Sequence, residues 1–153
     1  MDFREDEEIR INNIQCRGFV VKDNKVLVMY RKKNGEEYYV FPGGHMRQGE
    51  TPEDTVIREI EEETTVKCTI QRKAYELTDY AKTNKPQTEY YYICNYISGT
   101  PRLSGEESRR STEENYYQPM WIELTQLSNL LMYTAQAKEW IISNLVTAES
   151  NNK

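Results

Sequence analysis

Hydrophobic residues fall along this chain in two rhythms. At 14–21 and again at 26–32, β-branched and aromatic residues crowd into short runs, "IQCRGFVV" and "VLVMYRK", around the polar "KDNK". Two such runs about an Asp-Asn pair predict a β-hairpin. "KKNGEE" reads as a turn at Gly35. "YYVFP" reads as a short strand that Pro42 stops and that Gly43 and Gly44 open into a loop. After Thr51 the rhythm changes, and Val56, Ile57, Ile60 and Thr64 share one face at helical spacing. Thr51 suits the N-cap, Pro52 the first helical position, and Asp54, three residues on, completes a capping box.

Strand character returns in "VKCTIQRKAYEL" and "TEYYYICNYI". Alternation in the second sends Tyr90, Tyr92, Cys94 and Tyr96 to one face and Tyr91, Ile93, Asn95 and Ile97 to the other. The stretch 98–119, with Gly99, Pro101, Gly105 and Pro119, reads as loop, and "MWIEL" as a short strand. Helices are expected at 125–131 and 135–146, the second amphipathic through Ala137, Trp140, Ile141 and Leu145. There is no regular βαβ rhythm, so the pattern predicts a mixed sheet flanked by helices.

The chain has 153 residues, enough for one domain with its own core, expected to span 1–153 with fraying at 1–10 and 148–153. Apolar residues make up only 37% and charged ones 29%, yet runs such as "VLVMY" mark a folded protein. A net charge of −5 argues against binding long nucleic acid through bulk charge. An acidic protein still takes polyphosphates where metal ions mediate. Cys16, Cys68 and Cys94 form no C-x-x-C, which signals neither zinc site nor disulfide framework and fits a reduced, cytoplasmic setting. "MDFREDEEIR" lacks the apolar core of a secretory signal, and no apolar run approaches the roughly 20 residues of a membrane span.

The chemistry concentrates after Thr51. Like charges three and four apart repel on a helix surface, so a clustered acid face is either screened by water or filled by a cation. At about 100° per residue, Glu59, Glu62 and Glu63 share an arc of roughly 100°, centred about 120° from the apolar face. Glu61 points elsewhere, toward solvent, and Glu50 just before the N-cap is placed to join the acid face. Hard cations such as Mg2+ or Mn2+ want oxygen ligands of this kind.

Gly44, Glu50, Arg58, Glu59, Ile60, Glu62, Glu63 and Val66 stand in the order G-x5-E-x7-R-E-U-x-E-E-x-x-U, where U is apolar. This resembles the Nudix box, the signature of the Nudix (MutT-like) hydrolases, over 43–66, and more loosely over the flanking hairpin and "YYQPMWIELTQL". The resemblance implies an α/β fold, the Nudix-type α/β/α sandwich with a central mixed β-sheet. It implies hydrolysis of a nucleoside diphosphate linked to another moiety. By resemblance, Glu59, Glu62 and Glu63 ligate the metal, with Glu50 in support and the Gly44 carbonyl as a further ligand. Arg58 orients the glutamates, and Glu59, Glu62 and Arg58 carry catalysis. Glu62 is one candidate base. Glu106, Glu107, Glu113 and Glu114 in the long loop are others, because some relatives place a catalytic acid there.

Two positions depart from the family pattern. Thr65 stands where the box has glycine, and a β-branched residue suits positive φ poorly, so a different helix exit is expected. Arg47 stands where many members carry an acid. Arg31 resembles a phosphate-contacting arginine, and Arg17 joins it as a candidate substrate contact. His45, the only histidine, follows the glycine pair and reads more readily as an exposed loop residue than as a catalyst. Among twelve tyrosines, one is a candidate to stack on a nucleobase. A small-molecule nucleotide is the expected partner, with a (d)NTP-type substrate favoured over ADP-ribose or a nucleotide sugar. A non-catalytic nucleotide-binding module is the alternative from another class, and a homodimer is left open.

Overall fold

The structure, a computed structural model, describes residues 10–79, 86–104 and 111–146. The expected fraying at 1–10 and 148–153 lies outside this range, save for Arg10, which opens the first strand. The elements run β1 (Arg10–Lys22), β2 (Lys25–Lys33), β3 (Glu36–Val40), β4 (Gly43–Arg47), α1 (Pro52–Thr64), β5 (Lys67–Asp79), β6 (Gln87–Ser98) and β7 (Asn115–Glu123). A 3-10 helix (Leu124–Asn129), α2 (Ala135–Ile141) and a π-helical turn (Ile142–Val146) follow.

The sheet is mixed. Its main path is β3-β2-β1-β6-β5, with β4 paired to β1 and β7 to β2. β1 and β6 run parallel, and the other pairs run antiparallel. The β1–β2 hairpin turns at Asp23 and Asn24, both left-handed at φ 51 and 65, as a two-residue primed turn requires.

Period-two alternation splits the core into two layers. Cys16, Val20, Leu27, Tyr92 and Cys94 face α1, where Val56 and Ile60 meet them. Phe19, Val26, Val28, Phe41, Tyr91 and Ile93 face the opposite way, onto Leu124, Leu127, Met132, Ala137 and Ile141. The result is the expected sandwich, with helices on both faces of a central mixed sheet. Gly18 lets α1 lie close: a Cβ there would sit 2.6 Å from Ile60 Cδ1 and 2.9 Å from Val56 Cγ1. The β6 tyrosines divide between the faces as their alternation predicts. Tyr91 stacks on Tyr75 at 4.7 Å and on Phe19 at 5.4 Å, which makes it a core residue.

Several readings need correction. The segment after Pro42 is a strand, β4, because its backbone pairs with β1 from Arg17↔Gly43 to Gln15↔His45. Strand β7 begins at Asn115, inside the stretch read as loop, and pairs along all of β2. Pro119 fits there because, among the described residues, β7 pairs only with β2 and its other edge carries no ladder. The 125–131 helix is a 3-10 turn at Leu124–Asn129, and α2 gives way to the π-helical turn within the predicted 135–146.

The capping box forms as predicted, with Asp54 N donating to Thr51 Oγ1 and Thr51 N to Asp54 Oδ2. The predicted change of helix exit does not occur. Thr65 adopts the left-handed conformation itself, at φ 66 and ψ 0, and its N–H caps Glu61 O. Its hydroxyl donates to Thr100 O at 2.7 Å, an anchor that glycine would lack.

Candidate active site

Strand β4 lies against the acid side of α1, and the glycines that open it govern how closely. A Cβ on Gly43, whose φ is +152, would fall 2.1 Å from Cys16 O. A Cβ on Gly44 would meet the Glu59 carboxylate, 2.6 Å from Cδ and 2.7 Å from Oε2. Only a bare backbone passes here.

One guanidinium organises the acids. Arg58 donates through Nε to Glu50 Oε2 at 2.6 Å and through Nη2 to Glu50 Oε1 at 2.9 Å. Its Nη1 reaches Glu59 Oε1 at 2.8 Å and Glu62 Oε2 at 3.3 Å, and Nη2 also reaches His45 O at 3.4 Å. The planar fork serves three carboxylates at once and grips Glu50 through two nitrogens, a bidentate geometry that a lysine ammonium lacks. These bonds from Arg58 hold the Glu50 carboxyl well below its ordinary range, at about 2, helped by the Arg47 amide and the Thr55 hydroxyl. In return Glu50, and after it Glu59, raise the Arg58 pKa.

Glu63 falls on the wheel between the acid and apolar faces, and it is buried, 8% exposed, with the Gly43 amide donating to Oε2 at 3.4 Å. Glu62 is the open member, its side chain 49% exposed. Glu61 is turned away and exposed, 3.8 Å from Lys67 Nζ. Glu50, Glu59 and Glu62 therefore close on Arg58, and among the described residues no three His, Cys, Asp or Glu side chains are grouped to hold a metal ion.

The chain returns to this site after β6. Arg102 N donates to Thr64 O at 3.0 Å, Ser104 N to Glu63 O at 3.3 Å, and the Ser104 hydroxyl to Glu62 O. Ser104 is the last residue described before Glu106 and Glu107, which lie outside the described residues. Glu113 and Glu114 are exposed at the turn before β7, where Glu114 O accepts from Asn34 N. His45 is placed on β4 opposite Gln15, with Nε2 3.4 Å from Gln15 Nε2.

The two arginines named from sequence come together in a cavity of about 340 Å³ that Gly43 and Glu63 also border. Arg17 is fully engaged: Nη1 donates to Phe41 O at 2.7 Å, Nη2 to Gln15 Oε1 at 2.6 Å, and Nε approaches Glu89 at 3.5 Å. Arg31 lies within β2, inside the run predicted as strand. Its cross-strand partners are Tyr38 on β3 and Tyr117 on β7. Tyr38, Tyr117, Tyr133 and Asn115 escaped the sequence reading. Strand register places Tyr38 and Tyr117 beside Arg31, Asn115 reaches it by a side-chain hydrogen bond, and Tyr133 packs on Tyr38 from the segment before α2; the register of β7 was hidden by the loop-like composition around it.

The NUDIX domain matches residues 14–143, from β1 through α2. The chain belongs to the Nudix (MutT-like) hydrolase superfamily. An ADP-ribose pyrophosphatase of Methanocaldococcus jannaschii is 48% identical over 48 residues, 31% of this chain and 28% of that one. A MutT-like protein of Streptomyces ambofaciens is 31% identical over 100 residues, 64% of this chain and 61% of its own. The match thus spans less than two thirds of either relative. The MutT NUDIX hydrolase of Burkholderia pseudomallei shares the fold at a TM-score of 0.64 and 21% identity, over 82% of this chain and 94% of that one.

Proposed function

We propose that this chain is a divalent-metal-dependent hydrolase that cleaves the diphosphate of a nucleoside diphosphate linked to another moiety. The observation that carries this reading is the Arg58 cluster of Glu50, Glu59 and Glu62, with Gly44 bare against the Glu59 carboxylate. The donor chemistry fits Mg2+ or Mn2+: the ligands are hard carboxylate oxygens, and the missing Gly44 Cβ is what keeps space beside Glu59. Glu59, Glu62 and Glu63 would hold the ion, with Glu50 in support and the Gly44 carbonyl beside them. Glu62 would have to turn from Arg58 to do so, whereas Glu59, held by Arg58 through Oε1, would offer its Oε2.

The chemistry such an ion supplies when bound is neutralisation of phosphate charge and acidification of a water. The chain's own residues do the rest. Arg58 keeps Glu59 and Glu50 oriented from the side. Glu62, the most open carboxylate of the cluster, would accept a proton from water through an oxygen that the ion leaves unused. Gly43 and Glu63 border the cavity where the rest of the substrate would lie.

A (d)NTP-type nucleotide is the first substrate to test, and the pocket of about 340 Å³ beside Gly43 and Glu63 has room for a nucleoside. ADP-ribose is the second reading, supported by the similarity to the Methanocaldococcus enzyme. The test is a panel of nucleoside triphosphates, ADP-ribose and nucleotide sugars with Mg2+ or Mn2+, read by product analysis. Glu62→Gln and Glu63→Gln should each lower turnover about a hundredfold or more. Full turnover in either variant contradicts the carboxylate mechanism.

A further inference from the structure

We infer that Arg31 is a specificity-determining residue that reads a guanine base and disfavours adenine, an inference that rests on the proposed nucleotide site. The register puts Arg31 between Tyr38 and Tyr117 on three neighbouring strands. Its guanidinium lies 3.7 Å from the Tyr117 ring centroid and 5.7 Å from that of Tyr38. Nη2 donates to Asn115 Oδ1 at 2.6 Å, and Nε is buried with no acceptor. Among the described residues no carboxylate pairs with Arg31. The cation is half-buried and fixed by aromatic faces; Nε is closed off, so the donors left for a ligand are Nη1 and the second N–H of Nη2.

Ring stacking occupies the face of the guanidinium and leaves its edge for hydrogen bonds. That edge presents parallel N–H groups, which match two adjacent acceptors. Phosphate and guanine both offer such a pair, guanine through O6 and N7. The surroundings favour the base. Tyr38 packs on Tyr133 with centroids 4.5 Å apart, and Tyr133 stays 48% exposed, so this part of the cavity offers flat aromatic surface suited to a planar ring. Adenine carries an amino donor at position 6, and facing it to Arg31 sets donor against donor.

The test is equilibrium binding of GMP and AMP to the full chain by calorimetry, with and without Mg2+. GMP should bind about ten- to a hundredfold tighter than AMP, the range a bidentate base contact carries. Arg31→Gln should remove or reverse that preference, because an amide offers one donor and one acceptor. Tyr117→Leu, which keeps an apolar side chain but no aromatic face, should lessen the preference and confirms the result if Arg31→Gln folds poorly. Three results overturn the inference: no GMP binding at millimolar concentration, equal affinity for GMP and AMP, or an equal loss of both in Arg31→Gln, which would mark a phosphate contact. Hydrolysis of dGTP and dATP by the unaltered chain separates the two proposals. Guanine preference in binding without any turnover sinks the hydrolase reading alone, and turnover without guanine preference sinks this one alone.

Discussion

Arg58 clasps Glu50 through two nitrogens, at 2.6 and 2.9 Å, and so fastens the chain just before α1 to the middle of that helix. The same guanidinium holds Glu59 at 2.8 Å. Arg58→Ala leaves Glu50 and Glu59 without this donor, and charge-assisted bonds of this kind support a loss of about 1–3 kcal/mol in unfolding free energy. Turnover should fall about tenfold or more under conditions where the variant remains folded, because the carboxylates lose their orientation. Arg58→Lys keeps the charge but not the fork, and should fall between. Urea denaturation and steady-state rates check this together. An Arg58→Lys protein as active as the parent would show that the planar geometry is dispensable.

Gly44 and Gly43 separate two kinds of constraint. Gly44→Ala places a methyl against the Glu59 carboxylate and nothing else so close, and a side-chain end is able to swing aside. The fold should survive, with stability changed by about 1 kcal/mol, while turnover drops about tenfold or more because Glu59 is displaced. Gly43→Ala instead meets the Cys16 carbonyl at 2.1 Å in a left-handed backbone conformation. That variant should lose about 2 kcal/mol or more, a backbone clash that no rotamer relieves. Melting temperatures beside rates for the two variants distinguish displacement of a ligand from damage to the sheet.

The helix was legible in the sequence because its signals are local. Thr51, Pro52 and Asp54 act within one turn, and the acid and apolar faces follow from a fixed rotation per residue. The same arithmetic put Glu63 on the acid face with Glu59 and Glu62, and its burial was not foreseen. Strand β4 and the first half of β7 were not legible, because each exists through pairing with a distant strand. Gly43–Arg47 has no strand composition, yet β1 supplies its ladder. The Arg31 surroundings were lost with β7. Arg17 was visible as a charge, but nothing local shows that its nitrogens are committed to Phe41, Gln15 and Glu89.

Glu50 should leave a mark on acid unfolding. Its carboxyl is held at about 2 in the folded chain against an ordinary 4.5, first by the Arg58 hydrogen bonds. A depressed folded pKa stabilises the protein above the unfolded value, and that stabilisation is lost as pH falls through the folded value. The gap in melting temperature between the parent and Glu50→Gln, measured in chelator, should therefore be widest above pH 4.5 and close as pH drops toward 2. A gap that stays constant across that window would mean that the charge on Glu50 contributes nothing and shape alone matters.

Thr65 sets two effects of similar size against each other. A β-branched residue at φ 66 carries a backbone cost of about 1–2 kcal/mol that glycine escapes. Glycine also loses the hydroxyl bond to Thr100 O, about 0.5–1 kcal/mol for an exposed pair, and adds about 0.5–1 kcal/mol of unfolded-chain entropy. Thr65→Gly should therefore come out nearly neutral in chemical denaturation. Thr65→Ala keeps most of the strain and drops the bond, so it should be less stable by about 0.5–1 kcal/mol. If Thr65→Gly proved much the weaker of the two, the backbone would not be strained at this exit, and threonine would be suited to it in its own right.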